Sequence, residues 1–237
     1  MLDLNSKVVQ FKLAFLSQAL QGAEDAIVFG DIYVVEGGYS VKCLEFGCKR
    51  VTLVDVIETC GWLNERLKNK KLNFYKGDFS NTLFMKSIPE QYDVSIAFDV
   101  LLHQPPLINT LQLILEKTKR RICIVQPMLV EFKTPNVLVY LPGCGNADLH
   151  PMKKDVSNVN IFDVMQVNQS YWIWGMTPSF MKSVLKGSGF DVIYENDGHS
   201  LANKRWFTWG CIAERKTVAT GHWVNCGPQR DIIEPNW

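Results

Sequence analysis

Between Ala26 and Leu129 the chain alternates between strand-like and helix-like hydrophobic patterns, and this alternation restricts the fold more than any other feature. AIVFGDIYVV (26–35) is rich in β-branched residues and predicts a first strand. RVTLVDV (50–56) is a near-continuous apolar run, the pattern of a strand buried on both faces. KLNFYKGD (71–78), DVSIAFDVLL (93–102) and RICIVQPML (121–129) predict three more strands. Between them, SVKCLEFG (40–47), residues 59–70 and LINTLQLILEKTKR (107–120) read as helices. Such a β-α-β-α order predicts a parallel sheet with helices on both faces and right-handed crossovers.

The rest of the chain completes this plan. Residues 130–175 are rich in Gly, Pro, Asn and Asp and read as an insertion of loops broken by short elements. TPSFMKSVLKGSG (177–189) then predicts a helix, with Thr177 as cap and Pro178 at the first helical position. FDVIYEND (190–197) and RWFTWGCIAERK (205–216) are strand-like, and too few residues separate them for a helical crossover, so they run antiparallel. The expectation is a mostly parallel seven-stranded α/β sheet whose last strand is antiparallel. An N-terminal helix (1–25), with Val9, Leu13, Leu16 and Leu20 on one face, precedes the domain at 26–216, and a tail (217–237) follows it.

Composition narrows the function. Apolar residues make up 47% and charged residues 21%, so a full core is affordable. The net charge of +1 gives no long-range field for nucleic acid. The basic clusters Lys68, Lys70, Lys71 and Lys119, Arg120, Arg121 fall at the amino ends of strands and read as solvated helix ends. A small-molecule partner is therefore preferred over a nucleic acid. Seven cysteines without a CxxC pair suit free thiols, and no Cys or His cluster has zinc-ligand spacing, so no metal is expected. The N-terminus lacks the pattern of a signal peptide, and no apolar run is long enough to span a bilayer, so a cytoplasmic, membrane-free protein is expected.

In open α/β sheets, ligands bind beyond the carboxyl ends of the strands. Three features fall there. Gly37 and Gly38 open the first helix after strand 1, where small residues let a ligand approach backbone N–H groups. Asp55 ends strand 2, where a carboxylate suits the paired hydroxyls of a ribose. Asp78 ends strand 3, within reach of an adenine amino group. Each also has a local reading: a tight turn for the glycines, helix caps for the acids.

DIYVVEGGYSVKCLEFGCKRVTLVDV, YDVSIAFDVLLHQPPLINTLQLILEKTKRRICIVQP, YWIWGMTPSFMKSVLKGSGFDVIYE and WFTWGCIAERK, in this order, resemble class I S-adenosylmethionine-dependent methyltransferases. They are most similar to the branch of tRNA wobble-uridine modification enzymes and related small-molecule methyltransferases. The resemblance covers roughly residues 26–216, with the insertion poorly matched. It implies a Rossmann-like methyltransferase fold and S-adenosylmethionine as cofactor. It assigns Asp31, Glu36, Gly37, Gly38, Asp55 and Asp78 to the cofactor, with Phe98 and Asp99 beside its methyl group. His103 falls on a histidine common after strand 4 and is the candidate general base, with a helix-start residue as the plainer alternative. Tyr171, Trp172 and Trp174 fall on the substrate side, either lining a pocket or folding back on the core. The insertion around them suits a lid.

One departure matters. The family reads Asp-x-Gly at the end of strand 1, and Tyr33 stands at the glycine position. Three readings remain open: a methyltransferase for a small acceptor, a degenerate binding module, and an enzyme using an adenosine ligand for other chemistry. The absence of GxGxxG argues against a dehydrogenase.

Overall fold

The computed structural model describes residues 2–32, 35–58, 61–68, 71–104, 106–130, 136–141, 173–200 and 206–216. Helix α1 (Lys7–Ala19) leads into β1 (Asp25–Phe29), α2 (Gly38–Glu45), β2 (Arg50–Asp55), α3 (Gly61–Leu67) and β3 (Leu72–Lys76). Then follow α4 (Thr82–Ser87), β4 (Tyr92–Phe98), a 3-10 turn (Leu101–His103), α5 (Leu107–Glu116) and β5 (Thr118–Leu129). The chain ends with β6 (Leu138–Leu141), β7 (Ile173–Met176), α6 (Pro178–Gly187), β8 (Phe190–Ser200) and β9 (Trp206–Arg215).

Seven strands form one sheet in the order β3-β2-β1-β4-β5-β9-β8. The β1–β2, β1–β4, β2–β3 and β4–β5 pairs are parallel. β9 runs antiparallel to both β5 and β8, so β9 alone opposes the rest of this sheet. This is the architecture the alternation implied. β6 and β7 form a separate antiparallel pair.

The sheet separates two apolar layers. On one face, Ile27, Phe29, Ile122 and Ile124 pack with Leu107, Leu111 and Ile114 of α5 and with Met181 and Leu185 of α6. On the other, Val28, Leu53, Ile96 and Val125 pack with Phe15 and Leu16 of α1, Cys43 of α2 and Leu63 of α3. The four cysteines among the described residues, Cys43, Cys48, Cys123 and Cys211, are buried free thiols. No described helix is long and apolar enough to cross a membrane.

Several boundaries differ from expectation, each for a local reason. β1 stops at Phe29 rather than residue 35, because Gly30 takes φ +68° and donates its N–H to Val54 O at 2.9 Å. β4 stops at Phe98 rather than residue 102, because Asp99 turns to φ +55°. α5 ends at Glu116 rather than residue 120, and β5 starts at Thr118, whose hydroxyl donates to Ile114 O at 2.9 Å and sits 2.7 Å from Ser95 Oγ. α4 was not foreseen; its cap is Asn81, whose side-chain oxygen accepts from the amides of Leu83 and Phe84. In α1 the buried stripe is Val9, Lys12, Phe15, Leu16 and Ala19, with a lysine inside it. Arg120 and Arg121 do not simply point to solvent. Arg120 donates to Gly22 O at 2.8 Å and Arg121 to Gln21 O at 2.9 Å, which satisfies carbonyls just past the end of α1.

Candidate functional site at the carboxyl ends of the strands

The strand order reverses direction between β1 and β4, and the loops after β1, β2 and β4 meet at this switch point. Helix α2 begins there with Gly37 as N-cap, which has no side chain to offer its first-turn amides. Asp31 supplies the missing acceptor. Its carboxylate accepts from Tyr39 N at 3.2 Å, Ser40 N at 2.7 Å and Ser40 Oγ at 2.7 Å. A strand-end acid thereby does the work of a cap. Asp31 is buried, and burial pushes its pKa up to about 7 against the lowering pull of the Ser40 and Tyr39 hydrogen bonds. The nearby Asp55 charge adds to the rise.

Asp55 closes β2 and is also buried. Its Oδ2 accepts from Ile32 N at 2.8 Å and its Oδ1 from Ile57 N at 3.0 Å. These bonds tie the loop after β1 to the end of β2. Burial raises the Asp55 pKa, and the backbone amides oppose that rise. The backbone of Val56 also hydrogen-bonds this carboxylate, so the end of β2 is held largely by main-chain amides.

The glycine pair lies beside Asp31. Glu36 and Gly37 take successive positive φ values of 53° and 77°, and Gly37 N donates to Asp31 O at 2.6 Å. A Cβ on Gly37 would sit 2.8 Å from Leu63, and one on Gly38 would sit 2.6 Å from Leu2. Both glycines thus face close neighbours, but those neighbours are ends of flexible leucine side chains rather than backbone.

Asp78 stands one residue past Gly77, whose N–H donates to Asp55 O at 2.9 Å. Asp78 is exposed and accepts from Ser80 N at 2.8 Å in a local turn. Phe98, at the end of β4, is buried edge-on against Tyr39, with ring centroids 4.9 Å apart and an interplanar angle of 87°. Asp99 follows and pairs with Lys12 of α1. His103 closes the 3-10 turn, half-buried, with its backbone N–H donated to Val100 O at 3.1 Å. Trp174, on β7, donates its indole N–H to Gln104 O at 2.7 Å, which joins β7 to the segment after β4.

The sequence-derived candidates therefore fall into two groups. Asp31, Glu36, Gly37, Gly38, Asp55, Phe98 and Asp99 gather around the switch point, with Asp78 at its β3 side. His103 and Trp174 lie together beyond β4. Tyr33, Tyr171 and Trp172 lie outside the described residues. Lys12 was missed by the sequence reading. Its signal was there: a charge at position 12 in line with Val9, Leu16 and Ala19 on the buried stripe of a helix.

No protein-family model matches this chain, and no curated protein matches it. Solved structures do. A 1,6-didemethyltoxoflavin N1-methyltransferase from Burkholderia thailandensis, with bound 1,6-didemethyltoxoflavin and S-adenosylhomocysteine, superimposes with a TM-score of 0.57. It is 14% identical, over 86% of this chain and 78% of its own. A magnesium protoporphyrin IX methyltransferase from Synechocystis PCC 6803, with bound S-adenosylhomocysteine, gives a TM-score of 0.56 at 13% identity, over 91% of this chain and 89% of its own. This chain has their fold, the Rossmann-like α/β fold of S-adenosylmethionine-dependent methyltransferases. The cyclase SpnF gives a TM-score of 0.59 at 10% identity, over 86% of this chain and 81% of its own, so the fold also carries a reaction that is not named as methyl transfer.

Proposed function

We propose that the chain binds S-adenosylmethionine at the switch point and transfers its methyl group to a small-molecule acceptor. The observation that carries this reading is that Asp55 holds Ile32 N in the loop leading from β1 to α2, at the place where the strand order reverses. The residues fit such a ligand. A carboxylate at the end of β2 has the acceptor chemistry that suits the two ribose hydroxyls. Gly37 and Gly38 leave out Cβ atoms at the opening of α2, where the side chains of Leu63 and Leu2 stand over them. In this reading Asp55 holds the ribose, Asp31, Glu36, Gly37 and Gly38 shape the cradle of the methionine part, Asp78 borders the adenine, and Phe98 and Asp99 border the reacting end. When bound, the cofactor supplies a methyl group already activated on sulfur.

The chain's own part is alignment and exclusion of water. His103 stands on the β4 side and takes a proton where the acceptor must lose one. Trp174, fixed through Gln104, holds the segment after β4 in place and forms part of the acceptor wall. The neighbours named as methyltransferases support a small acceptor. The balanced charge agrees with it.

A second reading has its own observation. Both Asp55 oxygens hold backbone amides, and Leu2 and Leu63 cover the glycine faces, as a degenerate binding module would have it. One titration separates the two. Calorimetry with S-adenosylmethionine and S-adenosylhomocysteine gives saturable binding and a higher Tm if the site works. Asp55→Ala removes most of that gain. Absence of any shift at millimolar ligand eliminates the methyltransferase reading.

A further inference from the structure

Lys12 belongs to the buried stripe of α1, where Val9, Phe15, Leu16 and Ala19 make the helix's apolar contact with the sheet. It is 7% exposed. A lysine is rarely this buried, because its ammonium gives up water for whatever the protein provides. Three groups meet this one. Nζ pairs with Asp99 Oδ2 and lies 5.6 Å from the centroid of the Tyr39 ring and 5.9 Å from that of Phe98. The rings meet edge to face, so they make a corner rather than a stack. A carboxylate with two aromatic rings around one charge is the arrangement that recognises sulfonium and alkylated ammonium ions.

The box is assembled from elements that border the switch point, Tyr39 in the first turn of α2 and Phe98 and Asp99 at the end of β4. Asp99 is held at φ +55°, a conformation that costs a residue with a Cβ and persists only when its surroundings impose it. Its side chain remains 36% exposed while that of Lys12 is 9% exposed. One side of the carboxylate therefore faces the lysine and the other faces solvent.

We propose that Tyr39, Phe98 and Asp99 form a receptor for an organic cation, a sulfonium or an alkylammonium, and that Lys12 is its intramolecular occupant. The ligand takes the place of the lysine ammonium, and α1 releases its side chain as the ligand arrives. The unliganded site thus keeps its carboxylate neutralised and its rings covered. This inference does not rest on the proposed methyl transfer, since the box recognises charge and alkyl surface whatever reaction follows.

The test uses Lys12→Ala, which empties the box. Calorimetric titration with choline, and with its neutral carbon isostere 3,3-dimethylbutan-1-ol, reads the charge preference. Choline is expected to bind Lys12→Ala at least about tenfold more tightly than the isostere, and at least about tenfold more tightly than it binds the wild type. Adding Asp99→Asn abolishes the preference. Lys12→Met, which keeps the aliphatic stem, serves the same comparison if Lys12→Ala does not fold. A parallel titration identifies the source of the cation. A rise in affinity for S-adenosylmethionine relative to S-adenosylhomocysteine in Lys12→Ala points to the sulfonium. An unchanged ratio with the choline gain intact points to an alkylammonium acceptor. Choline binding without binding of either adenosyl compound keeps the receptor and removes the proposed cofactor. A folded Lys12→Ala protein that binds choline no better than the neutral isostere overturns the inference.

Discussion

Ser40 reaches Asp31 twice, through its amide and its hydroxyl, and still the carboxyl group is pushed up to about 7 from 3.8. Burial outweighs two strong hydrogen bonds because, among the described residues, no cation offsets the lost water at Asp31. An acid raised in this way keeps its proton in the folded chain after the unfolded chain has released it. Stability therefore falls as pH climbs from about 4 to about 7, and the full penalty stands above that window. Asp55, also raised by burial, adds in the same direction. Asp31→Asn does not titrate. Measured by urea unfolding across this range, its stability relative to wild type is expected to improve with rising pH by on the order of 1 kcal/mol or more. Parallel curves for the two proteins would show that Asp31 is ionised throughout. At this scale the sequence was informative about position and silent about role. Asp55 and the glycine pair could be placed at the strand ends from the alternation, whereas Asp31 came only from the family resemblance, because the first strand was read on to residue 35. That Asp31 caps α2, and that Asp55 ties two loops together, depends on where backbone amides of Ile32, Tyr39 and Ser40 point, which no residue pattern encodes.

At the scale of elements, Thr177 shows how one side chain can serve two of them. Its hydroxyl oxygen accepts from Phe180 N at 3.4 Å, as the cap of α6, and from Val137 N at 3.1 Å, just before β6. Its own N–H donates to Val137 O at 3.1 Å. Thr177→Ala leaves two amides without their acceptor, and is expected to cost about 1–2 kcal/mol in chemical denaturation. Thr177→Ser should recover most of it. The cap was readable because threonine before proline is a local signal. The β6–β7 pair it braces was not, since Leu138 meets Met176 across the whole insertion and only tertiary contact brings them together. α4 escaped notice because six residues give too little periodicity to register, although its Asn81 cap is an ordinary one. α1 was found but rotated. A stripe drawn through Leu13 treats Lys12 as solvent-facing, whereas the acid that receives it lies on β4's end, remote in sequence.

For the whole molecule, the sheet order and its two apolar layers follow from strand and helix alternation, but how open the switch point is follows from how those layers close over it. Leu63 belongs to the α1-side layer and is fully buried, yet it also supplies the atoms that lie over Gly37. On the proposed reading, the same side chain stabilises the unliganded fold and covers the glycine that an adenosyl ligand would approach. Stability and affinity then oppose one another at this position. Leu63→Ala removes a buried side chain and is expected to lower the unfolding free energy by about 2–5 kcal/mol. It also removes the cover from Gly37, so binding of S-adenosylhomocysteine is expected to tighten even though the protein is weaker. The reason is thermodynamic: a ligand that must displace Leu63 loses the packing energy of that side chain from its own binding energy, and the variant no longer imposes the loss. Calorimetry at a temperature where the variant is fully folded measures the affinity apart from the stability. A variant that loses both together would place Leu63 in the wall that holds the ligand, and would mean that the switch point opens by a movement of α3 as a unit with its leucine still in contact.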